Sequence, residues 1–404
     1  MVMTVTFVLA TLSLLAWVVL VLFRGAFWRA DRRMEDEGHV EPAGKTHWPP
    51  AVAVVPARNE VLCVGRTVAA LLGQDYPGGF AVVVVDDGSD DGTAKAARRS
   101  GRGSERLTVV TGTPLQPGWT GKLWALSQGL KRAEEQFPEA VYVLFCDADI
   151  ECAPHTLRRL VAKAEASGLD LVSVMARLHC ESAWERLLIP AFIFFFQKLY
   201  PFAWVNDRRR RQAAAAGGCV LARRTGLAAA GGLEAIRGRI IDDCALATNM
   251  KRGGGIWLGF SEGVRGIRPY RRMEEIWSMV ARTAFTQLRY SAWRLAGTVA
   301  GMTVIYLVPP FAVAVGIVTG QTWPLLVGLA AWLAMAFAYW PTLRLYGQPA
   351  VMALLLPLAA LLFTLMTLDS ARRHWRGGEA RGRDAPTVPT PSPTGDGPAG
   401  VVYP

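Results

Sequence analysis

The sequence is poor in the features that define thiolate-metal proteins and disulfide scaffolds. Its six cysteines, at 63, 146, 152, 180, 219 and 244, form no C-x-x-C pair. They read as small core residues in a reducing compartment, which excludes a zinc ribbon or a disulfide framework. Charge is also sparse, at 19% of residues against 51% hydrophobic, so the chain must bury or embed much of itself. Acidic residues number 33 against 44 basic ones, a net charge of +11. The excess is local: Arg208 to Arg211 form a run, and residues 265–294 hold seven arginines against two glutamates. No nucleic-acid-binding module interleaves these arginines with aromatics, so no nucleic-acid partner is expected. Beside apolar segments they read as contacts to anionic phospholipid headgroups, or as solvated faces. The chain has no internal repeats.

No basic residue precedes the first apolar run, residues 3–23, whereas Arg24, Arg29, Arg32 and Arg33 come after it. A cleaved leader has the opposite layout. The run is long enough to cross a bilayer, and the positive-inside rule then puts the central domain in the cytoplasm. A second apolar stretch, 296–368, breaks at Pro309-Pro310, at 319–323 and at 341–349. It predicts three crossings (296–319, 323–340 and 350–368), or two with a re-entrant piece near Pro309-Pro310. Three would place the basic tail, Arg372 to Arg383, outside, against the positive-inside rule; two would not.

The resulting division is an anchor (1–23), a charged linker with Pro42 and Pro49-Pro50 (24–50), a soluble-looking central domain (51–263) and a basic interfacial segment (264–295). The apolar spans (296–368) and a tail (369–404) come last, the tail basic at first and then disordered beyond about 384. Residues 181–205 are ambiguous. Their core, 187–205, is apolar enough to span, but Pro190, Pro201 and Gln197-Lys198 interrupt it. A central lysine costs about 2.5–3.5 kcal/mol on insertion scales. One crossing here would also part Asp242-Asp243 from Asp147 by a bilayer. An aromatic-rich segment lying in the interface, flooring a lipid-acceptor groove, is expected; a buried core helix is the alternative.

The central part alternates strand-like runs (51–55, 80–85, 107–111, 141–146) with helical ones, notably to about Gly73 and over 122–136. That is the pattern of stacked βαβ units: an α/β fold with a mostly parallel sheet and flanking helices, plus the terminal membrane helices. Two acidic clusters end buried strands, Asp86-Asp87 after 80–85 and Asp147-Ala148-Asp149 after 141–146. Open α/β sheets bind ligands at the carboxyl ends of their strands. Two carboxylates about 6 Å apart repel by roughly 3 kcal/mol at an effective dielectric near 20. A hard divalent ion such as Mg²⁺ or Mn²⁺ removes that cost, which suggests a metal-assisted phosphate site.

Five motifs occur in order: Pro56-Ala57-Arg58-Asn59-Glu60, Asp86-Asp87-Gly88-Ser89, Asp147-Ala148-Asp149, Gly217-Gly218-Cys219 and Ile241-Asp242-Asp243. Together they resemble the family 2 glycosyltransferases of the GT-A fold, over about 51–260. The resemblance implies a nucleotide-sugar donor, such as a UDP-sugar, whose diphosphate is bridged by a metal on Asp147 and Asp149. Ala57, Glu60, Asp86 and Asp87 would line the nucleoside pocket, although Asp86-Asp87 could instead cap the next helix. Lys122 opens a helix after Gly121, where a basic residue favours an anion, and resembles one placed near the donor. Asp243 would be the general base of an inverting transfer, in a pair whose usual Glu is Asp242 here; an N-cap role is its alternative.

Processive relatives carry Gln-x-x-Arg-Trp after that helix. The nearest match here, Gln287-Leu288-Arg289-Tyr290, is shortened and lacks the tryptophan. This favours single-sugar transfer, with Gln287 and Arg289 either touching the donor diphosphate or lying on an interfacial helix. The order of parts, with Trp119-Thr120-Gly121-Lys122-Leu123-Trp124-Ala125, is similar to the hopene-associated subgroup. That similarity implies a hopanoid-type lipid acceptor and a multi-pass protein of the bacterial inner membrane with its catalytic domain in the cytoplasm. A processive polysaccharide synthase, or a catalytically silent lipid-binding or scaffolding protein on the same fold, are the other readings.

Overall fold

The computed structural model describes residues 2–37 and 48–377; Pro42 and the tail beyond 377, including the stretch expected to be disordered, lie outside the described residues. Eight strands form one sheet: β1 (Ala51–Ala57), β2 (Phe80–Asp86), β3 (Leu107–Thr111), β4 (Tyr142–Cys146), β5 (Ile150–Cys152), β6 (Leu169–Arg177), β7 (Cys219–Arg223) and β8 (Gly255–Gly266). Their order is β3-β2-β1-β4-β7-β6-β8-β5. The first four are parallel. β7 runs against both β4 and β6, β8 runs with β6, and β5 runs against β8. Six strands therefore share one direction, and their carboxyl ends emerge on one edge. This is the expected mostly parallel α/β sheet with flanking helices.

The strands form where the apolar runs stood. Val52 to Val55 and Val82 to Val85 are almost wholly buried, as strands covered on both faces must be. The Gly121–Gln136 helix, capped by Thr120, covers one face. It lies so close that a Cβ on Gly129 would overlap a methyl of Val54 and stand 2.9 Å from one of Val85.

Four helices are long and apolar enough to cross a membrane: Met3–Phe23, Ala292–Thr319, Thr322–Leu345 and Ala350–Trp375. Pro309-Pro310 does not break the second of these. A π-helical turn, Thr303–Leu307, leads into Val308–Thr319 and places both prolines in its opening turn. The first three helices pack as a bundle. Small residues bring them close: a Cβ on Gly328 would lie 2.9 Å from that of Ala312, and Trp17 Nε1 donates to Ile305 O at 2.9 Å.

The fourth apolar helix is placed differently. Just before it, Tyr346 OH accepts from Leu178 N (3.3 Å), after the end of β6. At its far end Asp369 accepts from Trp277 Nε1 (2.8 Å) and Ser370 Oγ from Phe285 N (3.1 Å), both on the Met273–Gln287 helix. Midway, the Phe363 ring stands 5.2 Å from that of Phe195. The first turns of this helix meet the third apolar helix midway, where Trp332 Nε1 donates to Leu354 O at 3.3 Å, so the segment leaves β6 at Tyr346 and returns to the Met273–Gln287 helix at Asp369 and Ser370.

Residues 181–205 form the helices Ala183–Leu199 and Phe202–Asn206, neither of them a candidate span. The segment does not lie open on an interface. Leu188, Ile189, Ile193 and Phe194 are fully buried, in one core that includes sheet residues and Tyr339 of the third apolar helix. The sheet and the bundle both need an apolar cover at this point, and one helix serves both, so the buried alternative is the one realised. The part of the linker that is described is likewise docked: Phe27, Ala30 and Met34 are buried, and Met34 N donates to Phe260 O at 2.8 Å.

Gly129→Val should lower stability by about 1–3 kcal/mol through overpacking against Val54 and Val85. Gly297→Ala, with open space around a position inside the helix Ala292–Met302, should raise it by up to about 1 kcal/mol. Thermal unfolding followed by tryptophan fluorescence checks both, and equal midpoints would contradict this packing.

Candidate active site at the carboxyl edge

β4 ends at Cys146, and the chain turns at once: Asp147 N donates to Gly218 O (3.1 Å) and Ile150 N to Asp147 O (3.2 Å). That turn presents Asp147 and Asp149 at the edge. Lys122, from the start of the Gly121–Gln136 helix, places Nζ 2.7 Å from Asp147 Oδ1 and 3.7 Å from Asp242 Oδ2. Asp243 Oδ2 accepts from Gly217 N (2.9 Å) and Oδ1 from Cys244 N (2.7 Å). The glycine at 217 is needed for this approach. A Cβ there would stand 3.2 Å from Asp243 Oδ2 and 3.4 Å from Lys122 Nζ. Four motifs distant in sequence thus line one crevice, with Lys122, Asp147, Gly217, Asp242 and Asp243 in its wall.

The charges in this crevice constrain one another. Burial disfavours the Lys122 ammonium, but Asp147, Asp242 and Asp243 outweigh it and hold the group above its ordinary value. Asp243 is pushed up to about 6 by burial and then by the charge of Asp242; Lys122 and the two backbone N–H groups pull it back. Burial, and next the charge of Asp147, push Asp149 up to about 6 as well. A backbone hydrogen bond and the charge of Lys122 pull it back, and Arg268 Nε forms an ion pair with Asp149 Oδ2 at 2.9 Å.

On the other side of β1 stands β2. Asp86 is the last residue of β2, is 8% exposed, and its Oδ1 has no hydrogen-bond partner among the described residues. A buried carboxylate oxygen left so is costly unless a ligand N–H or O–H reaches it. Asp87 N donates to Ala57 O (2.9 Å), and its carboxylate lies 3.4 Å from Arg58 Nη1. Asn59, in the left-handed region at φ 55°, locks onto the neighbouring loop through Ser89 and Asp90. The capping alternative for Asp86-Asp87 is not used: the helix Thr93–Ser100 is served by Asp91, whose Oδ1 accepts from Thr93 N at 2.9 Å.

Glu60 pairs with the Nη2 of the same Arg268 that holds Asp149. Gln287 Nε2 donates to Tyr200 OH at 2.6 Å, and the Tyr200 hydroxyl is held up by burial and by nearby Cys244 and Asp243. Gln287 therefore stands one side chain behind the Asp243 helix. Arg289 is exposed on a left-handed turn at φ 51°, and its guanidinium makes no hydrogen bond or ion pair to the carboxylates among the described residues. Arg268 is the site residue that sequence reasoning missed. Its only signal was membership of the arginine-rich stretch after β8.

Among the described residues no three acidic, histidine or cysteine side chains converge in a metal-ligating group. Asp147 and Asp149 nonetheless suit Mg²⁺ or Mn²⁺ held partly by a substrate's phosphates. Such ions use one or two protein carboxylates and keep other positions for phosphate oxygens and water. The upward push that Asp147 exerts on Asp149 is the repulsion a cation would relieve.

Residues 52–230 match the family model described as glycosyl transferase family 2. A curated relative, glycosyltransferase AglE of Haloferax volcanii, is 29% identical over 122 residues, 30% of this chain and 36% of its own length. The match thus spans little more than a third of that relative. Among solved structures, the mannosyltransferase PcManGT from Pyrobaculum calidifontis, in complex with GDP-Man and Mn²⁺, superposes with a TM-score of 0.51 at 20% identity. It covers 92% of this chain and 100% of its own. The sheet built here thus shares the fold of that structure, and residues 52–230 are the part that resembles glycosyl transferase family 2.

Proposed function

We propose that the chain is a membrane-bound inverting glycosyltransferase that moves one sugar from a nucleotide-sugar donor to a membrane lipid. The observation that carries this reading is the meeting of Lys122, Asp147, Gly217 and Asp243 in one crevice, on the sheet edge where β2 also ends in the unsatisfied Asp86. Asp86, with Ala57, Asp87 and Glu60, lines the nucleoside end. Asp147 and Asp149 would hold Mg²⁺ or Mn²⁺, which supplies Lewis-acid stabilisation of the leaving diphosphate. Lys122 keeps a fixed positive charge beside Asp147 and so presents a cation to an arriving phosphate. Asp243 takes the proton of the acceptor hydroxyl at its carboxylate. The two backbone N–H groups of Gly217 and Cys244 aim it, and burial raises its basicity.

The acceptor would come from the bilayer, because the helix Ala183–Leu199 and the apolar bundle pack directly onto the domain. The similarity of motif order to the hopene-associated subgroup favours a hopanoid-type lipid. The shortened Gln287–Tyr290 motif, with Gln287 bound to Tyr200, favours a single transfer over polymerisation.

Three crossings, by the first three apolar helices, leave the fourth on the catalytic side. Arg372, Arg373 and Arg376 then stand with the cytoplasmic domain, as the positive-inside rule asks. In intact cells an impermeant thiol reagent should label Gln321→Cys and not Trp375→Cys; labelling of both would contradict this arrangement.

Turnover should rise with pH through about 6 as Asp243 loses its proton. Lys122→Met removes a charge that lowers Asp243, so the acid limb should move to higher pH, with Asp147, Asp242, Cys244 and Tyr200 still around it. A pH–rate profile that stays put or moves down would count against Asp243 as base. Asp243→Asn should cost about 10²- to 10⁴-fold in transfer with folding intact. Mass spectrometry of lipids from a deletion strain should show an aglycone accumulating; an unchanged lipid profile would overturn the lipid acceptor.

A further inference from the structure

Arg268 is joined to two carboxylates that belong to different halves of the donor pocket. Its Nε meets Asp149 Oδ2 at 2.9 Å, and its Nη2 meets Glu60 Oε1. Asp149 comes from the turn after β4, and Glu60 from the loop after β1. Arg268 itself sits on a strap between β8 and the Met273–Gln287 helix. The strap is pinned on both sides: Ile267 N donates to Asp149 O (2.9 Å), and Tyr270 N donates to the buried Glu185 carboxylate (2.6 Å). Ser182 Oγ adds a bond to Tyr270 O at 3.1 Å. The backbone is held firmly, while the Arg268 side chain is 39% exposed and reaches across the pocket. A guanidinium is a fork of donors that matches carboxylate and phosphate oxygens equally well.

We propose that Arg268 is a positioning residue that takes the cation's place between Glu60 and Asp149 in the resting enzyme, and turns onto the donor diphosphate when donor and metal enter together. This rests on the donor-site reading above. The acidic edge has two resident cations, and they differ in kind. Lys122 contacts Asp147 and Asp242 from a helix start and faces the side of Asp243. Arg268 neutralises the carboxylate that a metal would need and the one that lines the nucleoside end. While that bridge stands, Asp149 cannot give the same oxygen to a metal. Metal alone must break the bridge without compensation. Metal with a diphosphate offers the displaced guanidinium new oxygen partners. Arg268 therefore disfavours futile metal binding and couples metal entry to donor entry.

The two effects have opposite signs, which a merely structural residue would not produce. Full-length protein in detergent is titrated with Mn²⁺ alone, with free Mn²⁺ read by electron paramagnetic resonance, and then with inorganic diphosphate at saturating Mn²⁺. Arg268→Gln should bind Mn²⁺ alone about three- to fivefold more tightly than the wild type, the scale of one partly exposed ion pair. It should bind diphosphate with Mn²⁺ more weakly by a similar factor. Arg268→Lys, which keeps charge but not the fork, should fall between. Unchanged Mn²⁺ affinity in Arg268→Gln, or a loss of both affinities together, would overturn the inference while leaving the donor site standing. Absence of Mn²⁺-dependent diphosphate binding by the wild type would overturn the donor-site reading, and the inference with it.

Discussion

The acidic edge of the sheet is the constraint around which the rest of the structure is arranged. Five carboxylates, Glu60, Asp147, Asp149, Asp242 and Asp243, are gathered by strand ends and one helix start, and two basic side chains balance them. Lys122 is supplied by a helix that must sit flush on the sheet, which is why Gly129 carries no side chain. Arg268 is supplied by a strap tied down by Glu185. Gly217 is bare because any Cβ there would crowd both Asp243 and Lys122. Charge balance thus reaches into backbone choices several turns away.

Excess acidity remains after that balance, and it has chemical use. Asp243 and Asp149 are both pushed up to about 6, first by burial and then by a neighbouring carboxylate, Asp242 in one case and Asp147 in the other. A buried carboxylate near that value can accept a proton at physiological pH more readily than an exposed one. A pair that repels is ready for a divalent ion. In the proposed function Asp243 and Asp149 serve as the base and as part of the cation seat.

The apolar helices are continuous with the sheet. The helix Ala183–Leu199 belongs to the same core as the sheet and the third apolar helix, so the acidic edge and the apolar bundle share one packed unit. A Lys198 inside that helix is tolerated because its Nζ donates to Tyr306 OH at 2.8 Å and lies 4.6 Å over the same ring, while burial and then Arg24 lower it to about 7. The fourth apolar helix keeps Val351, Leu358, Leu361, Leu365 and Leu368 exposed along one face while the other packs on the domain. By length and hydropathy it is a candidate span like the other three, so hydropathy alone left the number of spans, and the tail's side with it, open in the sequence.

The strand ends were legible for the opposite reason. Asp86, Asp147 and the turn at Gly217 adjoin unbroken apolar runs, a signal a few residues long. Lys122 and Asp243 were legible as helix starts. Arg268 was not, because its partners lie 119 and 208 residues away and its neighbours in sequence are arginines of ordinary surface type. Residues 181–205 were misjudged because an apolar helix gives no sign of which of two cores it will join. The central claim, that this edge is a metal-assisted nucleotide-diphosphate site, is tested most directly by calorimetric titration of UDP and GDP with and without Mn²⁺. The account predicts that at least one binds only when Mn²⁺ is present and that Asp147→Asn abolishes it. Binding that ignores both the metal and that substitution would contradict it.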